Sequence, residues 1–133
     1  MQTTVLLSIK PEYANRILSG SKRFEFRRVI FREKTVSKVI IYSSSPVQRV
    51  VGEFTIGKIL ALGREELWSK TREYSGIQKS HFDQYFHGCE MAFAIEVLSP
   101  RRYSRPRKLA DATNFTLPPQ SFRYLDNPRQ SKK

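Results

Sequence analysis

The chain has 133 residues, with 24 Lys and Arg against 12 Asp and Glu and a net charge of +12. That length fits one domain and excludes a two-domain enzyme, while 39% apolar and 12% aromatic residues suffice for a packed core and exclude a disordered chain. The positive excess is more than solubility needs and points to an anionic partner, nucleic acid first.

Val5 to Lys10 reads as a first strand, apolar and partly β-branched. Pro11 suits the first turn of a helix whose Tyr13, Ala14, Ile17 and Leu18 fall on one face, and Gly20 is placed to end it in the left-handed conformation. Arg23 to Arg28 alternates charged and aromatic residues with period two, a strand signal, and Val36 to Tyr42 is a third strand closed by a Ser43-Ser44-Ser45-Pro46 turn. Val50 to Leu62 is a fourth, with Gly52 and Gly57 suggesting bulges or barrel bends. Arg64 to Arg72 and Gln78 to Phe86 read as helices, the second with Ser80 as its cap. Met91 to Leu98 is a strong fifth strand. Beyond Pro100 the chain turns Arg- and Pro-rich, with a turn or short helix expected at Lys108 to Ala112 and another at Pro119 to Leu125. Five strands with helices inserted between them give an α+β domain on a small, partly closed β-barrel. Residues 1–126 are read as this single domain and 127–133 as a flexible basic C-terminal tail, since that segment is polar and lacks periodicity.

The charge is not spread evenly. Residues 21–49 hold eight bases and two acids, residues 50–100 five bases and seven acids, and residues 101–133 nine bases and two acids. In the first block the bases alternate with Phe24, Phe26 and Phe31, the mixture that stacking on bases and pairing with phosphates requires, and also what a half-buried strand looks like. Cys89 is the sole cysteine, which excludes a disulfide framework and a cysteine-rich zinc site; His81 and His87 lie six apart rather than the three or four that align ligands on a helix. No metal or cofactor is expected. No stretch approaches the roughly 20 apolar residues of a membrane span, and Val5-Leu6-Leu7 is too short for a signal-peptide core, so a cytoplasmic protein without a membrane partner is expected. Trp68 with Leu67, and the ring side chains Tyr74, Phe82, Tyr85 and Phe86, read as core faces of the inserted helices, with Tyr85 a candidate for a cleft rim. Cys89 reads as a small buried apolar residue.

The most specific stretch is Leu6 to Arg27: a strand, a two-turn helix, a glycine hinge, then Lys22, Glu25 and Arg27 within six residues. In a strand Glu25 and Arg27 share a face. Ser8, Pro11, Tyr13-Ala14, Ile17 and G-S-K-R-F-E-F-R, which fits G-x-K-x-x-E-x-R, make the chain resemble the ASCH domains of the PUA-like superfamily; Ile41-Tyr42-Ser43-Ser44 and Val51-Gly52-Glu53-Phe54 continue the match, which covers Val5 to about Leu98. The resemblance implies a PUA-like β-barrel of about five to six strands with inserted helices and a helix beside a cleft, in a superfamily associated with RNA binding and recognition of modified bases. On that reading the chain is an RNA-binding module, with RNA favoured over other nucleic acid, reading a single-stranded or modified base. Lys10, Lys22, Glu25, Arg27, Arg28, Ser43 and Ser44 form its binding set: Lys22 meets phosphate or a base carbonyl, Arg27 or Arg28 the backbone, and Glu25 an exocyclic amine.

The plain alternative is that Glu25 pairs with Arg27 or Lys22 and satisfies charge inside the barrel. A second functional reading stays open: some ASCH proteins hydrolyse the acetyl amide of acetylated cytidine nucleosides and ribonuclease activity is ascribed to others, which would make Lys22 and Glu25 catalytic. The amidohydrolase members carry threonine where this chain has Glu25, and their separate acid would here be Glu53 or Glu90, neither selected by spacing. Deleting residues 127–133 is expected to leave the melting temperature nearly unchanged in a thermal scan, because the segment has no apolar anchor; a large drop would mean that it packs on the barrel.

Overall fold

Residues 2–125 are described by the computed structural model; the tail expected at 127–133 lies outside the described residues. The strands are β1 (Thr3–Ile9), β2 (Phe24–Arg27), β3 (Val36–Ser43), β4 (Arg49–Leu62), β5 (Ala92–Arg107) and β6 (Phe122–Tyr124), and the helices are α1 (Pro11–Ser19), α2 (Arg64–Thr71), α3 (Lys79–Tyr85) and α4 (Leu109–Ala112), with a 3₁₀ turn at Arg72–Tyr74. They form one mixed six-stranded sheet in the order β2-β5-β4-β3-β1-β6, curled into a half-barrel. β1 and β3 are parallel; the other neighbours are antiparallel.

The local rules explain most elements. Pro11 opens α1 and Gly20 ends it at φ +91°, its amide donating to the Ile17 carbonyl. β1 is apolar at consecutive positions because both its faces are covered: Val5, Leu7 and Ile9 join the core under α1 with Ala14, Ile17, Ile41 and Phe54, while Leu6 points to the other side with Tyr42 and Leu109. A second core lies beneath α2 and α3, where Phe26 meets Phe82 and Phe86 edge to face with centroids 5.2 and 6.1 Å apart, and Trp68 tilts against Phe82 at 4.9 Å. Among the described residues no helix is long and apolar enough to cross a membrane.

Four expectations need correction. β5 does not stop at Leu98 but runs 16 residues through Pro100 and Pro106. Both prolines fall where the β4–β5 register slips, between Glu53 and Thr55 and between Val50 and Gly52, so neither removes a ladder hydrogen bond. The segment expected as a turn or helix at Pro119 to Leu125 contains β6, whose three residues pair antiparallel with β1; so short a strand carries no period of its own and is made by its partner. Ser80 is not the cap of α3, which begins at Lys79 with Gln78 preceding it. Cys89 is only partly buried, at the margin of the second core.

β2 and β6 are the two edges of the sheet, and a side chain ties them. Arg27 Nη2 donates to the Ser121 carbonyl at 3.0 Å and to Ser121 Oγ at 2.8 Å, while Nη1 donates to Glu25 Oε2 at 3.1 Å and the Ser8 carbonyl at 3.4 Å. Phe31 and Phe122 close the same gap edge to face, 5.7 Å apart. Removing the guanidinium strands Glu25 in a buried place without its cation, so Arg27→Ala is expected to lower unfolding free energy by about 3–5 kcal/mol, against about 1 kcal/mol for Ser121→Ala, in urea titrations. Equal and small losses would show that the edges are held by other means.

Candidate nucleic-acid site

Lys22 leaves α1 just beyond the left-handed Gly20 and is held on both sides by backbone bonds: its amide donates to the Arg16 carbonyl at 3.0 Å and the Arg23 amide to the Tyr74 carbonyl at 2.8 Å. Its side chain is only 2% exposed, one of the largest fully buried groups in the molecule. Nζ donates to the Ser75 carbonyl at 2.6 Å and lies over the rings of Phe26, 4.5 Å from the centroid, and Tyr13, 5.5 Å away. The segment covering its stem needs glycine: Gly76 has φ +68°, and a Cβ there would sit 2.5 Å from Lys22 Cβ and Cγ. Arg16 Nη1 fixes that glycine's carbonyl at 2.7 Å.

Lys22 makes no ion pair with a carboxylate among the described residues. The nearby acid, Glu25, is engaged by Arg27, both side chains being about nine-tenths buried. Burial therefore pulls the Lys22 ammonium down to about 8; the field of Glu25 opposes the shift and that of Arg16 adds to it. Tyr13 moves the other way, its hydroxyl pushed up by burial and then by Glu12 and Glu25, with Arg16 opposing. Near neutral pH the cluster thus holds one amine that can give up or take a proton, beside a carboxylate and a guanidinium already committed to each other.

The expected binding set is divided by the fold. Lys22, Glu25 and Arg27 come together, and Glu25 and Arg27 do share a face of β2. Arg28 points outward, its guanidinium 4.5 Å over the Tyr85 ring and its amide bonded to the Tyr85 hydroxyl. Lys10 is exposed at the start of α1, where its carbonyl accepts the Tyr13 and Ala14 amides. Ser43 is buried at the end of β3 opposite Ile9, and the Ser44 amide donates to the Ile9 carbonyl. Of the two later acids, Glu53 belongs to another cluster: Lys38 lies 3.0 Å from it, Arg101 3.0 Å, and the Tyr103 hydroxyl donates at 2.9 Å. Burial alone would raise that carboxyl, but these hydrogen bonds and charges outweigh it and hold it below the usual range. Glu90 is exposed in the bend before β5. Among the described residues no group of three His, Cys, Asp or Glu side chains gathers as metal ligands.

Ser75, Gly76 and Ser121 complete the site and carry no sequence signal of their own. Ser121 lies 94 residues from Arg27, and only the curl of the sheet makes them neighbours. Gly76 reads in the sequence as the end of a helix, which does not say that it closes over a lysine.

The ASCH domain profile matches residues 7–101. A large ribosomal subunit protein uL22 of Ureaplasma parvum is 29% identical over 126 residues, covering 92% of this chain; the chain spans 39% of that protein's length. An ASCH domain-containing ribonuclease of Zymomonas mobilis is 32% identical over 124 residues, covering 90% of this chain and 82% of that one. The crystal structure of ASCH from Zymomonas mobilis superposes with a TM-score of 0.85 at 27% identity, over 97% of this chain and 91% of that one.

Between about pH 8 and pH 10 the folded protein has released the Lys22 proton that the unfolded chain still holds, so stability rises with pH by up to about 1.4 kcal/mol per unit across this window. Lys22→Met lacks that proton and is expected to lack that part of the rise in urea titrations at pH 8, 9 and 10. Parallel pH dependences in the two proteins would mean that the amine does not titrate below its ordinary range.

Proposed function

Because the chain belongs to the ASCH domain family, we propose that it is a small ribonuclease that cleaves single-stranded RNA with Lys22 as its proton-transfer group. The observation that carries this reading is the Lys22 amine, enclosed, without a counter-ion and lowered to about 8. The likeness to the Zymomonas ribonuclease supports cleavage over binding alone.

When an RNA 2′-hydroxyl attacks the adjacent phosphorus, the O2′–P bond forms and the P–O5′ bond breaks, one proton leaving O2′ and one arriving at O5′. A cyclic phosphate and a free 5′-hydroxyl result. A lysine with a value near 8 is mostly ammonium at neutral pH, so in this reading, with the Ser75–Gly76 segment that encloses it drawn aside, Lys22 places positive charge at the phosphoryl oxygens and gives its proton to the leaving oxygen. Arg27 has a positioning role in this reading, its two terminal nitrogens donating to Glu25, Ser8 and Ser121. It holds Glu25 away from Lys22 and so keeps the amine unpaired. Amide hydrolysis of acetylated cytidine is the weaker reading: Glu25 stands in place of threonine and is paired, and Glu53 is saturated by three partners.

With a labelled single-stranded oligoribonucleotide, the purified protein is expected to release fragments at a rate that falls above about pH 8. Lys22→Met is expected to lower that rate by about 10²-fold or more while keeping its circular dichroism spectrum, and acetylcytidine to yield no acetate. RNA that is bound and left intact would return the chain to a binding module. Acetate release abolished by Lys22→Met would favour the amidohydrolase.

A further inference from the structure

A second electropositive feature lies away from Lys22, on the outer half of β5. From Leu98 onward this strand pairs with β4 alone, β2 having ended opposite Phe93 to Glu96. The bulged stretch of β5 from Arg101 to Arg107 brings Arg101, Tyr103, Arg105 and Arg107 into one cleft of about 510 Å³, which Arg49 and Lys108 also line. Asp111 is the only acid in the lining.

The cleft is organised around Tyr103. Its hydroxyl is fixed by the bond to Glu53, and Arg101 and Arg107 place their guanidinium carbons 5.2 and 5.3 Å from the ring centroid. Arg101 also pairs with Glu53, whereas Arg49, Arg105, Arg107 and Lys108 pair with no carboxylate among the described residues. Charged side chains on an unpaired strand edge also prevent edge-to-edge aggregation. That role does not require them to converge on one cleft or to share a tyrosine as a platform.

We propose that this cleft is a second RNA-binding site, separate from the Lys22 cluster, which holds the phosphodiester backbone of the same single strand. The inference rests on the ribonuclease reading for the identity of its ligand. Guanidinium groups held against a ring lose less freedom on meeting phosphate, and phosphate is the anion that such forks fit. The two sites share β5. Ile95 lies opposite Glu25, and the ten residues from there to Arg105 extend at most about 33 Å, at about 3.3 Å per residue. About ten stacked nucleotides at about 3.4 Å each reach that far, so a tetranucleotide fills one site and a 20-mer both. Apart from Arg49, the basic residues of the cleft stand at or beyond the last residue of the family match, so the family signature does not specify them.

The experiment measures binding of 2′-O-methyl RNA, which has no attacking hydroxyl, by fluorescence anisotropy over a salt series. The triple variant Arg105→Gln, Arg107→Gln, Lys108→Gln is expected to bind a single-stranded 20-mer about tenfold more weakly near 0.1 M salt. Its log–log salt slope should be shallower by about 2, as three lost phosphate contacts require. Affinity for a tetranucleotide should change less than twofold. Arg105→Gln alone, at an exposed side chain making no hydrogen bond or ion pair with a described residue, should give about one third of the slope change and guards against misfolding of the triple variant. Unchanged 20-mer affinity and slope would overturn the proposal, as would an equal loss for the tetranucleotide. So would a loss confined to anionic vesicles or to a polyglutamate peptide. Wild-type protein that shows the expected RNA binding and cleaves no ordinary RNA would leave this site standing and remove the ribonuclease reading.

Discussion

The buried ion pair of Arg27 and Glu25 sets both the shape of the sheet and the chemistry of its cluster. A curled sheet with two free edges has to join them or leave them open, and here the first and last strands of the order are joined through one guanidinium rather than a ladder. Such a pair is costly to desolvate and is weak evidence for stability by itself. It is tolerated because both terminal nitrogens of the guanidinium are matched: by Glu25 two residues away, the Ser8 carbonyl from β1, and both oxygens of Ser121. Lysine could not make these bonds at once, since the planar fork is what reaches three elements.

The pair's second effect falls on Lys22. A carboxylate facing a buried lysine usually takes it as partner and keeps it charged. Here the carboxylate is already taken, so the amine is left with one carbonyl and two ring faces. Phe26 links this arrangement to the second core, because the ring beneath the amine is itself gripped edge to face by Phe82 and Phe86. The aromatic cluster under α2 and α3 thereby supports a local dielectric as well as a fold. A charged group held this way lowers stability at neutral pH, a cost typical of groups retained for function.

Much of this was legible in the sequence where chemistry is local. The helix bounded by Pro11 and Gly20, the period-two run that puts Glu25 beside Arg27, and the apolar runs of β1 and β3 follow from neighbouring residues. What escaped is what only the closed sheet creates. Ser121 becomes a ligand of Arg27 because β6 lies against β1, and β6 is too short to announce itself. Pro100 reads as a stop, yet β5 passes through both it and Pro106, because bulges in β5 itself place each proline between ladder pairs. Lys22 could be picked out as chemically charged ground, but its enclosure depends on Ser75 and Gly76, 53 residues or more along the chain.

The distribution of cations follows a division that net charge alone conceals. Arg27 is locked between two edges and Lys22 is enclosed, so neither presents a solvated charge that attracts a polyanion from a distance. Long-range attraction has to come from the exposed cations, and on β5 these line one cleft, mostly without counter-ions, about ten residues along the strand from the Lys22 cluster. A buried amine gains reactivity from leaving water and loses reach by doing so; a solvated arginine keeps the reach. The same strand can carry both because its inner half is covered by β2 and the helices, while its outer half, paired with β4 alone, is free to face an anion.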